Sequence, residues 1–231
     1  TANEAYDPVT NIWSIAAPMP TARYALGVAR GPDNRIYTFG GYSYYALNTV
    51  EIYNPATNAW SAGAPMPTGR FSPAAVTGPD GLIYVIGGDV QGGGQNVATV
   101  EAYNPATNSW TTKASLPIPV GGPKGVLLPD GRILIAGGGS NGPLLTSTYL
   151  YDAYTNSWTT GPGFVTPRAN HGLTIGNDGQ VYAFSGHSAV TPATPDVEYR
   201  SPDGAWHLTL PMQTPRYGPA AATSLDGAIY V

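Results

Sequence analysis

Five tryptophans, Trp13, Trp60, Trp110, Trp158 and Trp206, recur at intervals of 47, 50, 48 and 48 residues. Each follows a tyrosine by seven positions, and the stretches between read YDPVTNIW, YNPATNAW, YNPATNSW, YDAYTNSW and YRSPDGAW. A period of this length marks an array of one supersecondary unit, because a unit that small cannot hide its apolar surface alone. Two further marks keep the same interval. A β-rich run closes on glycine: IYTFGG at Gly41, IYVIGG at Gly88, ILIAGG at Gly138 and VYAFSG at Gly186. Turn signals (PDNR, PDG twice, NDG and LDG) precede these runs and the final AIYV.

One unit can be built from its residues. Gly81-Leu82-Ile83-Tyr84-Val85-Ile86 is β-branched and aromatic, bounded by glycines, and reads as a buried strand. The PDG before it is a hairpin turn, so Phe71 to Thr77 is its antiparallel partner. Val100 to Tyr103 alternates, NPATN turns the chain, and Ser109-Trp110-Thr111 returns. This makes four antiparallel strands, here called a to d. Composition agrees with a turn-rich fold: 30 Gly and 23 Pro accompany 42% hydrophobic and 11% aromatic residues. An aperiodic Gly/Pro load would suggest disorder, but this one is periodic and carries enough aromatic surface for a core. Sheets with two apolar faces must stack on one another, and radial stacking gives a β-propeller.

The double glycine followed by Y-[DN]-x-x-x-N-x-W at this period resembles the kelch-repeat family, and the resemblance covers essentially the whole chain as a single domain, 1–231. It implies an all-β, kelch-type propeller in which the glycines permit close backbone approach and the Trp packs between blades. The last full unit departs from the pattern, with Ser185 for the first glycine and SPDGAW for the turn. The chain starts in strand c and ends in strand b around four complete units. The leftover c and d at the N-terminus and a and b at the C-terminus would share a fifth blade and remove an open edge. The expectation is therefore a five-bladed ring; the alternative is a fragment of a six- or seven-bladed one.

Meandering connectivity puts the d-to-a and b-to-c connections on one face. The b-to-c loops differ from unit to unit (YSYYALN, DVQGGGQN, GSNGPLLT, HSAVTPATPD), and varied loops on a rigid scaffold are where recognition resides. The d-to-a connections deliver Arg23, Arg70, Arg168 and Arg216 to the start of strand a, with Val120 in the remaining unit. Strand a is innermost in propellers of this family, so these arginines should approach the channel. There they could hold a carboxylate or an acidic peptide, as equivalent arginines do in some kelch domains, or they could be repeat-level structural residues bonding loop carbonyls. Tyr24, Phe71 and Tyr217 follow three of them and fit inter-blade packing as well as ligand stacking. Tyr42, Tyr44 and Tyr45 crowd the first variable loop and are expected at the surface.

Other chemistry is sparse. His171 and His187 sit at the ends of paired strands near the channel mouth, which makes them candidates for ligand contact, but two histidines alone are not a metal site. Glu198, Asp203 and His207 approach the E-x3-D-x3-H iron pattern of plant kelch proteins, with the first gap one residue too long. Glu4, Glu51 and Glu101 take the same place in other units, which marks Glu198 as scaffold. Without cysteine there is no disulfide, thiolate site or Tyr–Cys radical centre. Three glycines at 92–94 open no helix and so form no nucleotide loop. No cofactor is expected.

A net charge of −4 argues against nucleic acid and anionic membranes, and no apolar run is long enough to span a bilayer. No charged-then-apolar leader opens the chain, so a signal peptide is expected to be absent or removed. Low Lys with high Thr, Asn and Gly leans towards an exported bacterial protein. The leading functional expectation is a non-catalytic propeller binding a peptide, protein or glycan. A small enzyme acting on a sugar or sugar acid, and a structural or engineered propeller without a ligand, are the alternatives.

Overall fold

The computed structural model describes residues 1–90, 95–140, 142–188 and 191–231, and among them every regular element is a β-strand. The 92–94 glycines lie outside the described residues. The chain opens with a hairpin, β1 (Asn3–Asp7) and β2 (Ile12–Ala16). The first blade is β3 (Gly27–Arg30), β4 (Ile36–Phe39), β5 (Val50–Asn54) and β6 (Ala59–Ala62). The second is β7 (Ala74–Thr77), β8 (Ile83–Ile86), β9 (Val100–Asn104) and β10 (Ser109–Thr112). The third is β11 (Lys124–Leu127), β12 (Ile133–Ala136), β13 (Thr148–Asp152) and β14 (Ser157–Gly161). A short β15 (Arg168–Ala169) precedes the fourth blade, formed by β16 (Gly172–Ile175), β17 (Val181–Phe184), β19 (Val197–Arg200) and β20 (Trp206–Leu208). Between its second and third strands, β18 (His187–Ser188) pairs with β15. The chain closes with β21 (Ala222–Thr223) and β22 (Ile229–Tyr230). The four blades stand in a ring, with β3, β7, β11, β16 and β21 side by side towards the axis.

The core lies between blades, as stacked two-faced sheets require. Phe39, Val50 and Ile52 of the first blade meet Ile83, Val85 and Tyr103 of the second. Ala74, Tyr84 and Ile86 meet Ile133, Ile135 and Tyr151 of the third, and Leu134 and Leu150 meet Val181, Ala183 and Trp206 of the fourth.

The repeated Tyr, Asn and Trp have one shared task. Asn58, Asn108 and Asn156 have φ near +50°, a conformation Asn tolerates better than most residues. That turn aims each Oδ1 at two donors: the hydroxyl of the unit's own Tyr (Tyr53, Tyr103, Tyr151) at 2.6–2.9 Å, and the backbone N–H of Ala17, Ala64 or Ala114 in the preceding unit at 2.6–2.8 Å. The Trp indole N–H then donates to the carbonyl of that same alanine: Trp60 to Ala17, Trp110 to Ala64 and Trp158 to Ala114, at 2.8–2.9 Å. Each motif is thus a two-point clasp on the neighbouring blade. In the fourth unit there is no clasp: the equivalent position is Pro162, which has no N–H to offer, Gly204 stands where the Asn would be, and the Trp206 indole N–H has no partner among the described residues. The degraded SPDGAW turn is therefore the counterpart of a proline one blade earlier.

The fifth blade does not form as one sheet. β1–β2 and β21–β22 are separate two-stranded ribbons, although the rings of Tyr6 and Tyr230 approach to 6.0 Å between centroids. Trp13 and Leu210, which a clasp at this joint would bring together, are 65% and 86% exposed.

Candidate functional site at the axial mouth

Where each double glycine ends, its next residue pairs with the residue that follows the repeat arginine. The backbone pairs are Tyr24–Tyr42, Phe71–Asp89, Gly121–Gly139 and Ala169–His187. The second glycine makes this possible. Gly41, Gly88, Gly138 and Gly186 have φ of +96 to +104°, and a Cβ there would stand 2.7–2.9 Å from a backbone carbonyl across the pair. Four structurally equivalent pairs therefore ring the axis, and the fold leaves their side chains free to vary: aromatic, acidic, absent and imidazole.

Inside this ring is a cavity of about 970 Å³, within the usual range for ligand sites. Its wall includes Tyr24, Phe71, Asp89, Asn170, His187 and Tyr217, with Lys124 deeper in. One side is aromatic: the Tyr42 ring contacts Tyr24 at 5.6 Å and Phe71 edge-on at 5.1 Å between centroids. The opposite side is polar, with Asn170 donating to the Tyr217 hydroxyl at 3.3 Å and the His187 ring 6.0 Å from that of Tyr217. Asp89 is buried and accepts from the Asn96 amide; burial raises its carboxyl pKa, and the Asn96 bond opposes that shift. A narrower cavity of about 370 Å³ continues along the axis, walled mainly by small residues of β3, β7, β11 and β16.

The arginines do not face this space. Arg23 pairs with Glu51 at 3.0 Å, Arg70 with Glu101 at 2.9 Å and Arg168 with Glu198 at 2.6 Å, and all three guanidinium side chains are fully buried. Thr21 and Thr68 hydroxyls donate to the first two carboxylates, and the Val165 and Thr166 amides to the third. Each glutamate lies on the third strand of its own blade and draws the charge inward, because an unpaired buried guanidinium is prohibitively costly. Burial lowers the three arginine pKa values, with the glutamates pulling the other way. The backbone carbonyls of Arg70 and Arg168 also accept from Gly41 and Gly138 of the preceding blade. Arg216 alone is exposed, its guanidinium bonded to the Thr214 carbonyl at 3.4 Å.

In the third blade both partners change together. Val120 replaces the Arg, and Tyr149, opposite Ile135 just as Glu101 is opposite Val85, replaces the Glu. Both are buried in the apolar core between the second and third blades.

The remaining candidates divide. Tyr42 packs its ring against Tyr24 and Phe71, which line the mouth, whereas Tyr44 and Tyr45 are 92% and 67% exposed. His187 lines the mouth; His171 is fully buried, edge-on to Phe164 at 5.3 Å. Their rings thus serve different surroundings and do not form an acid–base pair. Burial first, then the charges of Arg168 and Lys124, hold the His171 pKa well below 6.5, so it is neutral. Among the described residues, no group of three or more His, Asp or Glu could hold a metal ion. Lys124 escaped the sequence reading, and Asp89 was placed on the variable face but set aside for want of a spacing; the available signal was its place directly after a double glycine, the same place as Tyr42.

The sequence matches the KLHDC2/KLHL20/DRC7 Kelch-repeats domain over residues 3–186. Among solved structures, one titled "Structure of YjhT" superimposes with a TM-score of 0.79 at 17% identity, covering 94% of this chain and 82% of that one. That likeness shows the fold alone. No curated protein matches the sequence at a significant level.

Proposed function

Because the chain belongs to the kelch-repeats domain family, we propose that it is a non-catalytic interaction propeller that takes a segment of a peptide or protein partner into the axial mouth. The observation that carries this reading is the variable quartet Tyr42, Asp89, Gly139 and His187, set by identical backbone pairing around a cavity of about 970 Å³. Identical geometry with divergent side chains separates scaffold from specificity. Aromatic residues at a concave mouth supply anchoring area, and Asp89, Asn170 and His187 supply orientation.

The test is panning of the folded protein against a displayed random-peptide library. Selected peptides should lose at least tenfold in affinity on Phe71→Ala, with unchanged thermal stability, and be indifferent to Thr57→Lys in an outer turn. Peptides equally sensitive to Thr57→Lys, or indifferent to Phe71→Ala, would exclude the mouth.

The five-bladed ring belongs to the same proposal. Closure would join β22 to β1, supported by the Tyr6–Tyr230 approach, and would set Arg216 against Glu4 where other blades carry ion pairs. A double-mutant cycle on Glu4→Gln and Arg216→Gln should then show coupling of about 0.5 kcal/mol or more. Strict additivity would leave two unjoined ribbons.

A further inference from the structure

Among the described residues, Lys124 is the one lysine or arginine lining either axial cavity, and it lines both. It opens β11 opposite Ala136, the register position held by Gly27 opposite Phe39, Ala74 opposite Ile86 and Gly172 opposite Phe184 in the other blades. Three small residues around the axis thus leave room for one long side chain from the fourth direction. Among the described residues, that side chain comes from the one complete blade without an Arg–Glu pair, and the carboxylate that shares its cavity, Asp89, is bonded to Asn96 instead. Among the described residues, Lys124 makes no ion pair and no side-chain hydrogen bond. The titratable groups around it do not compensate: His171, which lines the narrower cavity with it, is neutral, Arg168 is committed to Glu198, and Asp89 is engaged by Asn96. Burial alone pushes the Lys124 ammonium pKa below the ordinary lysine value, with no carboxylate opposing the shift. An unmatched cation at the throat of a cavity is a cost to the folded state that an incoming anion would offset.

We propose that Lys124 is the anchor for a carboxylate group on the ligand, which enters past Tyr24 and Phe71 and places its charge at the throat. This rests on the mouth being the binding face. The ligand's apolar part lies along the aromatic wall, and its hydrogen-bond donors turn towards Asp89. The carboxylate receives a charge-assisted bond from the ammonium in a region shielded from water.

Benzoate and its neutral isostere benzamide are suitable probes. Lys113 and Lys124 are the two lysines of the chain, so Lys113→Arg leaves Lys124 as the only source of lysine side-chain ¹³C signals. Titrated with benzoate, that signal should move saturably, with affinity at least tenfold above benzamide. Lys124→Met should abolish the preference and Lys124→Arg should retain it. If both probes perturb Tyr24 and Phe71 equally and the lysine signal stays still, the carboxylate anchor is overturned while the mouth remains a binding face. If neither probe perturbs any mouth residue, the anchor is overturned, and peptide panning alone decides the face. The lysine signal is read with the native side chain in place, so the outcome survives even if Lys124→Met fails to fold.

Discussion

Replacing Arg70 by valine separates a structural arginine from a recognition arginine. Its guanidinium is fully buried, 2.9 Å from Glu101 and bonded to the Val85 carbonyl at 3.0 Å. Removing it strands the Glu101 carboxylate with the Thr68 hydroxyl as its remaining side-chain donor. Breaking one side of a buried pair costs about 3–5 kcal/mol, mostly the penalty of the charge left behind. For a domain of this size, each kcal/mol lowers Tm by about 2–4 °C, so Arg70→Val should melt roughly 6–20 °C early. The third blade supplies the compensation, since Val120 and Tyr149 fill the equivalent space without any charge. Arg70→Val with Glu101→Tyr should therefore recover most of the loss, to within about 1 kcal/mol of the parent, because replacing a whole buried pair by apolar groups is often neutral. Urea unfolding of the parent, both single variants and the double variant gives the coupling energy directly. A single variant within about 0.5 kcal/mol of the parent, the usual range for surface positions, would refute the reasoning. So would a double variant no more stable than Arg70→Val.

The clasp makes a sharper local prediction. Asn108 uses only its Oδ1, towards the Tyr103 hydroxyl and the Ala64 amide, so Asn108→Asp should be nearly neutral while Asn108→Ala costs about 2–4 kcal/mol from two lost bonds and a strained φ, read by urea unfolding. His171 fixes a pH dependence. Its folded pKa is depressed, so the unfolded chain binds the extra proton, and stability present above pH 6.5 is lost as pH falls below that value. The slope approaches about 1.4 kcal/mol per pH unit, and His171→Leu should flatten it between pH 6.5 and 5; an unchanged slope assigns the acid sensitivity elsewhere. Trp110→Phe should cost about 1–3 kcal/mol by stranding the Ala64 carbonyl, measured by thermal unfolding, whereas Trp206→Phe forfeits no hydrogen bond and should cost less.

What the sequence disclosed depended on whether a residue acts through its period or its surroundings. The Trp, Tyr and double-glycine positions repeat because each blade solves the same packing problem, so their spacing revealed strand order, blade size and the variable face. The arginines repeat as faithfully, and the glutamates were recognised as scaffold from the same regularity. Yet proximity to the axis left two readings open, contact with a ligand and a structural role in the repeat. A backbone position near a channel does not say which way a long side chain turns; that depends on where a partner charge lies. The third blade held the correction, since Val120 and Tyr149 depart from the repeat together, and two residues that fail together in one unit were partners in the others. The opposite logic applies to the mouth. Asp89 and Lys124 are residue types that do not recur at their positions, so the period could mark the place but not the chemistry set there. Lys124 stands where three other blades have glycine or alanine. That departure from the repeat is what the proposed carboxylate anchor accounts for.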